Sequence, residues 1–116
     1  MGSIPERNIG VFTLVTLPNL MFEASSDYVM ITRWTPAGPL LTQVQVQWLV
    51  RGDAQEGRDY QIDRLTEFWR LTSEQDWKLC EDNQTGVNSR HYQPGVYTPQ
   101  EKGVMHFVEW YLNKIR

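Results

Sequence analysis

Residues 40–50 alternate with a period of two. Val44, Val46 and Trp48 share one side of an extended chain, and Gln43, Gln45 and Gln47 share the other. A segment of this pattern belongs in a sheet with one apolar face. The glutamine row is either solvated or lines a polar cavity. Residues 28–35 form a second β-rich run, stopped by Pro36-Ala37-Gly38-Pro39. A Pro/Gly turn between two such runs predicts an antiparallel hairpin. Upstream, residues 9–17 are rich in β-branched and aromatic side chains and end at the turn signal Pro18-Asn19. Residues 20–23 continue extended, and Ala24-Ser25-Ser26-Asp27 is a loop. Arg51-Gly52-Asp53 ends the strand region and reads as a turn, not as an exposed recognition tripeptide.

The second half changes period. Ile62, Leu65, Phe68 and Trp69 give a helical stripe over residues 60–71. Thr72-Ser73 offers a new N-cap, with Ser73 as the capping residue and Asp76 three positions later. Trp77, Cys80 and Gln84 continue that second helix to Gly86, a plausible stop. A loop with Pro94-Gly95 follows. The last helix has Thr98 as cap, Pro99 in the first helical position and Glu101 completing a capping box. Val104, Phe107, Val108, Tyr111 and Ile115 then make one apolar stripe.

Strands followed by helices argue an α+β fold, with helices laid on an antiparallel sheet of about three or more strands. The 116 residues suit one domain spanning 1–116. Open sheet edges predict a homo-oligomer. Five tryptophans and five tyrosines need large contact surfaces and polar partners. Net charge is −3 with the signs interspersed, and no basic stripe exists, which argues against a nucleic-acid surface. No apolar run reaches the length of a membrane span. The start lacks the apolar core of a secretory signal, and one cysteine allows no internal disulfide, so the cytoplasm is the expected location.

Few residues carry obvious chemistry. His91 and His106 are the two histidines, one in a loop and one on the polar side of the last helix. Neither stands in a metal-binding spacing, and both read as ordinary surface or loop residues. Cys80 is followed by Glu81 and Asp82, which raise a thiol pKa, so a buried inert thiol is expected. Asp76 shares a helical face with Leu79, Cys80 and Asn83. From residue chemistry alone it reads as an acid satisfying a helix N-terminus.

Several stretches resemble the C-terminal region of Rieske-type ring-hydroxylating oxygenase catalytic subunits. They are Leu17-Pro18-Asn19-Leu20-Met21-Phe22, then Arg33-Trp34-Thr35-Pro36-Ala37-Gly38-Pro39 with Thr42. The strongest is Glu74-Gln75-Asp76-Trp77-Lys78-Leu79-Cys80-Glu81-Asp82-Asn83-Gln84-Thr85-Gly86. Ser89-Arg90-His91-Tyr92-Gln93-Pro94-Gly95 follows, then Glu101, Phe107 and Trp110-Tyr111. The resemblance covers nearly the whole chain and is nearest the branch acting on aromatic acids and quaternary amines. It implies a truncated helix-grip (START-like) domain, with a long C-terminal helix packed on the sheet around a substrate cavity. It also implies that Asp76 matches the aspartate of the two-histidine, one-carboxylate iron site of non-haem oxygenases.

The same resemblance marks what is missing. The family's paired histidine ligands and its Cys-x-His and Cys-x-x-His cluster motifs have no counterpart here. Fe(II) is thus the cofactor of the parent family and is not expected to bind this chain tightly alone. Two readings follow. In one, the chain is part of a dioxygenase-type enzyme, contributing Asp76 and pocket walls from Val44, Val46, Trp48 and Trp77, while an N-terminal Rieske-containing half supplies the rest. In the other, it is a metal-free module binding a small apolar ligand, or an inactive oligomerising fragment.

Overall fold

The computed structural model describes residues 10–116. Four strands come first: β1 (Phe12–Thr16), β2 (Leu20–Ala24), β3 (Tyr28–Gly38) and β4 (Leu41–Val50). They form an antiparallel meander in the order β1-β2-β3-β4. Two helices follow, α1 (Ile62–Val87) and α2 (Lys102–Ile115). The α+β class expected from the sequence is the class observed. The first expected strand begins at Ile9, which lies outside the described residues.

The Pro18-Asn19 turn joins β1 to β2 through a cis Leu17–Pro18 bond. Asn19 fastens this turn to β3. Its side-chain amide donates to the Trp34 carbonyl at 2.8 Å, and its own carbonyl accepts from the Trp34 N–H at 3.0 Å. β3 runs further than predicted, through Pro36 to Gly38, with a register shift between those two residues. Pairing with β2 ends at Arg33, so Pro36 has a single neighbouring strand and its missing N–H breaks no second ladder.

Register sorts the sheet into two faces. Glu23, Met30 and Trp48 stand in one cross-strand row, and Met21, Thr32 and Val46 in the next. Val44 pairs with Trp34 on the same face. Met30 and Thr32, at the centre of the sheet, are 3% and 6% exposed. Among the described residues they are the buried core. The opposite face carries the glutamine row, which is exposed, with Gln45 accepting from Arg33 at 2.7 Å.

The helices depart from expectation in three ways. First, residues 62–87 form one helix of 26 residues. Ser73 therefore lies inside α1 and caps nothing; Gln61 is the N-cap. The Thr72 hydroxyl bonds back to the Phe68 carbonyl at 3.0 Å, which satisfies it within the helix, and no Gly or Pro occurs between Ile62 and Thr85. Second, Gly86 is not the stop. The helix continues to Val87, with Asn88 as C-cap. Third, the apolar stripe of α2 is left open among the described residues: Val104, Phe107, Tyr111 and Ile115 are exposed. Its start follows prediction. Pro99–Glu101 makes one 3₁₀ turn, and the Thr98 N–H donates to Glu101 Oε2 at 2.6 Å.

The result is elongated, 54 × 24 × 24 Å. Its radius of gyration is 17.9 Å, against about 13 Å for a compact chain of this length. No helix among the described residues is long and apolar enough to cross a membrane.

With so thin a core, Met30→Ala should cost about 2 kcal/mol or more. A urea midpoint that does not move would refute that centre. The Glu101 carboxyl is held below the ordinary carboxylate range, first by the Thr98 N–H and then by the Thr98 hydroxyl. A depressed acid stabilises the fold above its unfolded pKa and loses that contribution as pH falls through the folded value. Far-UV circular dichroism should therefore show helix loss on acidification in the native chain, with a smaller pH response in Glu101→Gln.

Candidate functional site

α1 lies over the face of the sheet that carries Met30 and Thr32. The link is a 2.7 Å hydrogen bond from the Trp69 indole N–H to the Tyr28 hydroxyl. Leu65, Thr66, Trp69, Thr72 and Ser73 are half-buried along this part of the helix. From Glu74 to Gly86 every residue is exposed. The second half of α1 thus overhangs the sheet.

Asp76 sits on that overhang. Seven residues separate it from Trp69, which is close to two full turns, so both lie on one helix face about 10.5 Å apart along the axis. The face that grips the sheet through Trp69 continues to Asp76 and then to Cys80 and Asn83. Asp76 makes no hydrogen bond or ion pair among the described residues. The nearby ion pairs are elsewhere on the helix: Arg70 with Glu74 at 3.2 Å, and Lys78 with Asp82 at 2.5 Å. Burial of Cys80 was expected, but it is exposed, like every residue from Glu74 to Gly86, because none of the described residues packs against this half of the helix.

The other site residues are dispersed. Val44, Val46 and Trp48 share the half-buried sheet face. The Trp48 indole N–H is buried there without a partner among the described residues. Trp77 is 39% exposed on α1 and lies about 100° around the helix from Asp76. His91 follows α1, where its N–H donates to Ser89 Oγ at 3.2 Å and its Nε2 accepts from Arg90 at the same distance. His106 is exposed on α2.

Among the described residues no three His, Cys, Asp or Glu side chains converge on one point. A facial triad needs two imidazoles and a carboxylate around one iron. The donor set present here therefore does not fit an iron centre by itself. Glu23 is a further acid that the sequence reading passed over. It faces α1 beside Met30, and burial raises its pKa.

The structure does build a cleft of about 580 Å³, but elsewhere. It lies between the β2–β3 turn, the loop 57–61 and the start of α1. Tyr28, Tyr60, Arg64, Leu65, Phe68 and Trp69 line it. Phe68 meets Trp69 edge to face, with centroids 5.3 Å apart. Sequence reasoning had Leu65, Phe68 and Trp69 as a packing stripe and gave Tyr28 no role beyond the start of a strand. The signal that was available is their aromatic density next to a loop. Tyr28→Phe, which leaves the Trp69 N–H without its acceptor, should cost about 1 kcal/mol and shift the tryptophan emission. Unchanged stability and emission would show that this bond does not position α1.

Comparison with known proteins agrees with the resemblance seen in the motifs. The family described as ring hydroxylating alpha subunit (catalytic domain) matches residues 1–116. The glycine betaine monooxygenase oxygenase subunit of Chromohalobacter salexigens is 42% identical over 96% of this chain, which covers 25% of that protein. The subunit of the same name from Pseudomonas aeruginosa is 38% identical over 99% of this chain and 27% of its own length. The chloroplastic choline monooxygenase of Spinacia oleracea is 27% identical over 88% of this chain and 23% of its own. The chain thus spans about a quarter of the length of these relatives. They are named monooxygenases, not the dioxygenases that the resemblance implied. With the match extending over its full length, the chain belongs to the ring-hydroxylating alpha-subunit family, within the catalytic domain.

Proposed function

We propose that this chain acts as the C-terminal part of the catalytic domain of an oxygenase subunit that mono-oxygenates a small quaternary amine. The observation that carries the reading is the unbroken face of α1. It is held to β3 through Trp69 and, two turns on, carries Asp76 exposed, without a side-chain hydrogen bond or ion pair among the described residues. A carboxylate so placed is available to a metal whose other ligands come from elsewhere. Asp76 would supply one ligand. A Rieske-containing N-terminal portion, in the same polypeptide or another, would supply the cluster and the two histidines.

The substrate class follows the relatives, whose names specify glycine betaine and choline. Both carry a trimethylammonium group. Val44, Val46 and Trp48 would form one wall of the assembled cavity, with Trp77 entering it from α1. The unpartnered Trp48 N–H gives that wall one directional donor. Among the described residues the outer strands β1 and β4 each lack a neighbour on one side, which suits a homo-oligomer or docking of the missing portion. A cytoplasmic location remains part of this proposal. The 580 Å³ cleft favours a second reading, a metal-free module that binds a small ligand.

Iron content separates the two. After anaerobic reconstitution with Fe(II) and desalting, the chain alone and its Asp76→Ala variant should both retain only traces. Grafted in place of the matching quarter of the Chromohalobacter salexigens subunit, the native segment should restore iron near one per subunit. Asp76→Ala in that graft should lower it about tenfold or more. Full iron in the Asp76→Ala graft would sink the ligand role.

A further inference from the structure

Strand register assigns alternate residues of all four strands to the face that α1 lies against. Among the described residues, Glu23 is the only charged side chain that the strands place on this face, and Tyr28 is the only other titratable one. The cross-strand neighbours of Glu23 are Thr13 on β1 and Met30 on β3. The helix sets no charge against it: the half-buried residues of α1 are Leu65, Thr66, Trp69, Thr72 and Ser73. The Tyr28 hydroxyl is taken up with the Trp69 N–H.

Glu23 is half-buried, and no hydrogen bond or opposite charge reaches its carboxylate among the described residues. A charge drawn out of water without a partner is costly. Met30 beside it is 3% exposed, so the row is filled on that side. The counter-charge has to come from outside the described residues. In the same row the Trp48 N–H also lacks a partner among them. It stands two strands away, at about 10 Å. A lysine or arginine from elsewhere would satisfy the acid and leave the indole unpaired. One guest with a cationic head and an acceptor group further along satisfies both.

We propose that Glu23 is the charge-selecting residue of the cavity on this sheet face, its carboxylate holding the cationic head of the guest. The assignment rests on the reading above that this face is a cavity wall. It concerns charge and not degree of methylation, because a carboxylate accepts from a primary ammonium as readily as it attracts a quaternary one. Only the ionised acid attracts a cation. Affinity for the cation therefore falls as pH falls through the Glu23 pKa, and by the same linkage a bound cation lowers that pKa.

The test follows the Glu23 carboxyl carbon by NMR in the chain itself, without metal, the resonance being identified by its loss in Glu23→Gln. Tetramethylammonium chloride should lower the Glu23 titration midpoint by about one unit relative to sodium chloride at equal ionic strength. The exposed Glu67 should not respond. tert-Butanol, neutral and of similar bulk, should leave the Glu23 midpoint in place. Glu23→Gln should not lower the urea midpoint, because the fold gains nothing from an unpartnered charge on this face. A Glu23 midpoint that tetramethylammonium does not move, or that tert-butanol moves equally, overturns the assignment, as does a lower urea midpoint in Glu23→Gln. In the Chromohalobacter salexigens graft, Glu23→Gln should raise the KM for glycine betaine about tenfold, the factor that one unit represents, and affect kcat less. An unchanged KM would give the acid to an ion pair with the rest of the subunit and overturn its role. No iron enters the carboxyl titration, so its failure leaves the role of Asp76 standing, and a failed iron assay leaves this result standing.

Discussion

One hydrogen bond between the Trp69 indole and the Tyr28 hydroxyl sets the position of α1 on the sheet. Both groups are half-buried, where a lost partner costs more than in water. The helix is about 39 Å long by its 26 residues, and a rigid rod anchored near one end projects whatever its far end carries. Here that is the segment from Glu74 to Gly86, with Asp76 on the anchored face. The same bond shapes the cleft, because Tyr28 and Trp69 are two of its walls.

The sheet explains why so much surface is left open. Its buried centre is Met30 and Thr32, with Val46 and Trp48 beside them on β4. Part of α1 lies against this face, and the apolar stripe of α2 is left exposed among the described residues. A helix with an apolar face gains stability mainly by burying that face. Val104, Phe107, Tyr111 and Ile115 therefore mark where further protein would add the most. The relatives, about four times the length of this chain, contain the material to do so.

Much of this was legible along the chain. The alternation through Val44, Val46 and Trp48, and the Pro/Gly punctuation around it, depend only on local geometry, and the strands formed where they were read. The capping box of Thr98 and Glu101 is equally local. The break at Thr72-Ser73 was misread because hydroxyl residues favour caps in isolation. Within a helix already held by Trp69, the Thr72 hydroxyl bonds back to Phe68 instead. The burial of Cys80 was misjudged for a different reason. Periodicity tells which face a residue occupies and not whether anything lies against that face.

The sequence by itself determined the class of the fold, the faces of its strands and helices, and the family, through the Asp76–Gly86 motif and its neighbours. Those are properties of spacing, and spacing survives without a third dimension. The tertiary structure alone decided that Asp76 is left exposed, with no cluster of metal-ligating side chains around it among the described residues. It also decided that Tyr28 and Trp69, 41 residues apart, meet to wall a cleft. Such meetings depend on where a helix crosses a sheet, and no local pattern encodes that.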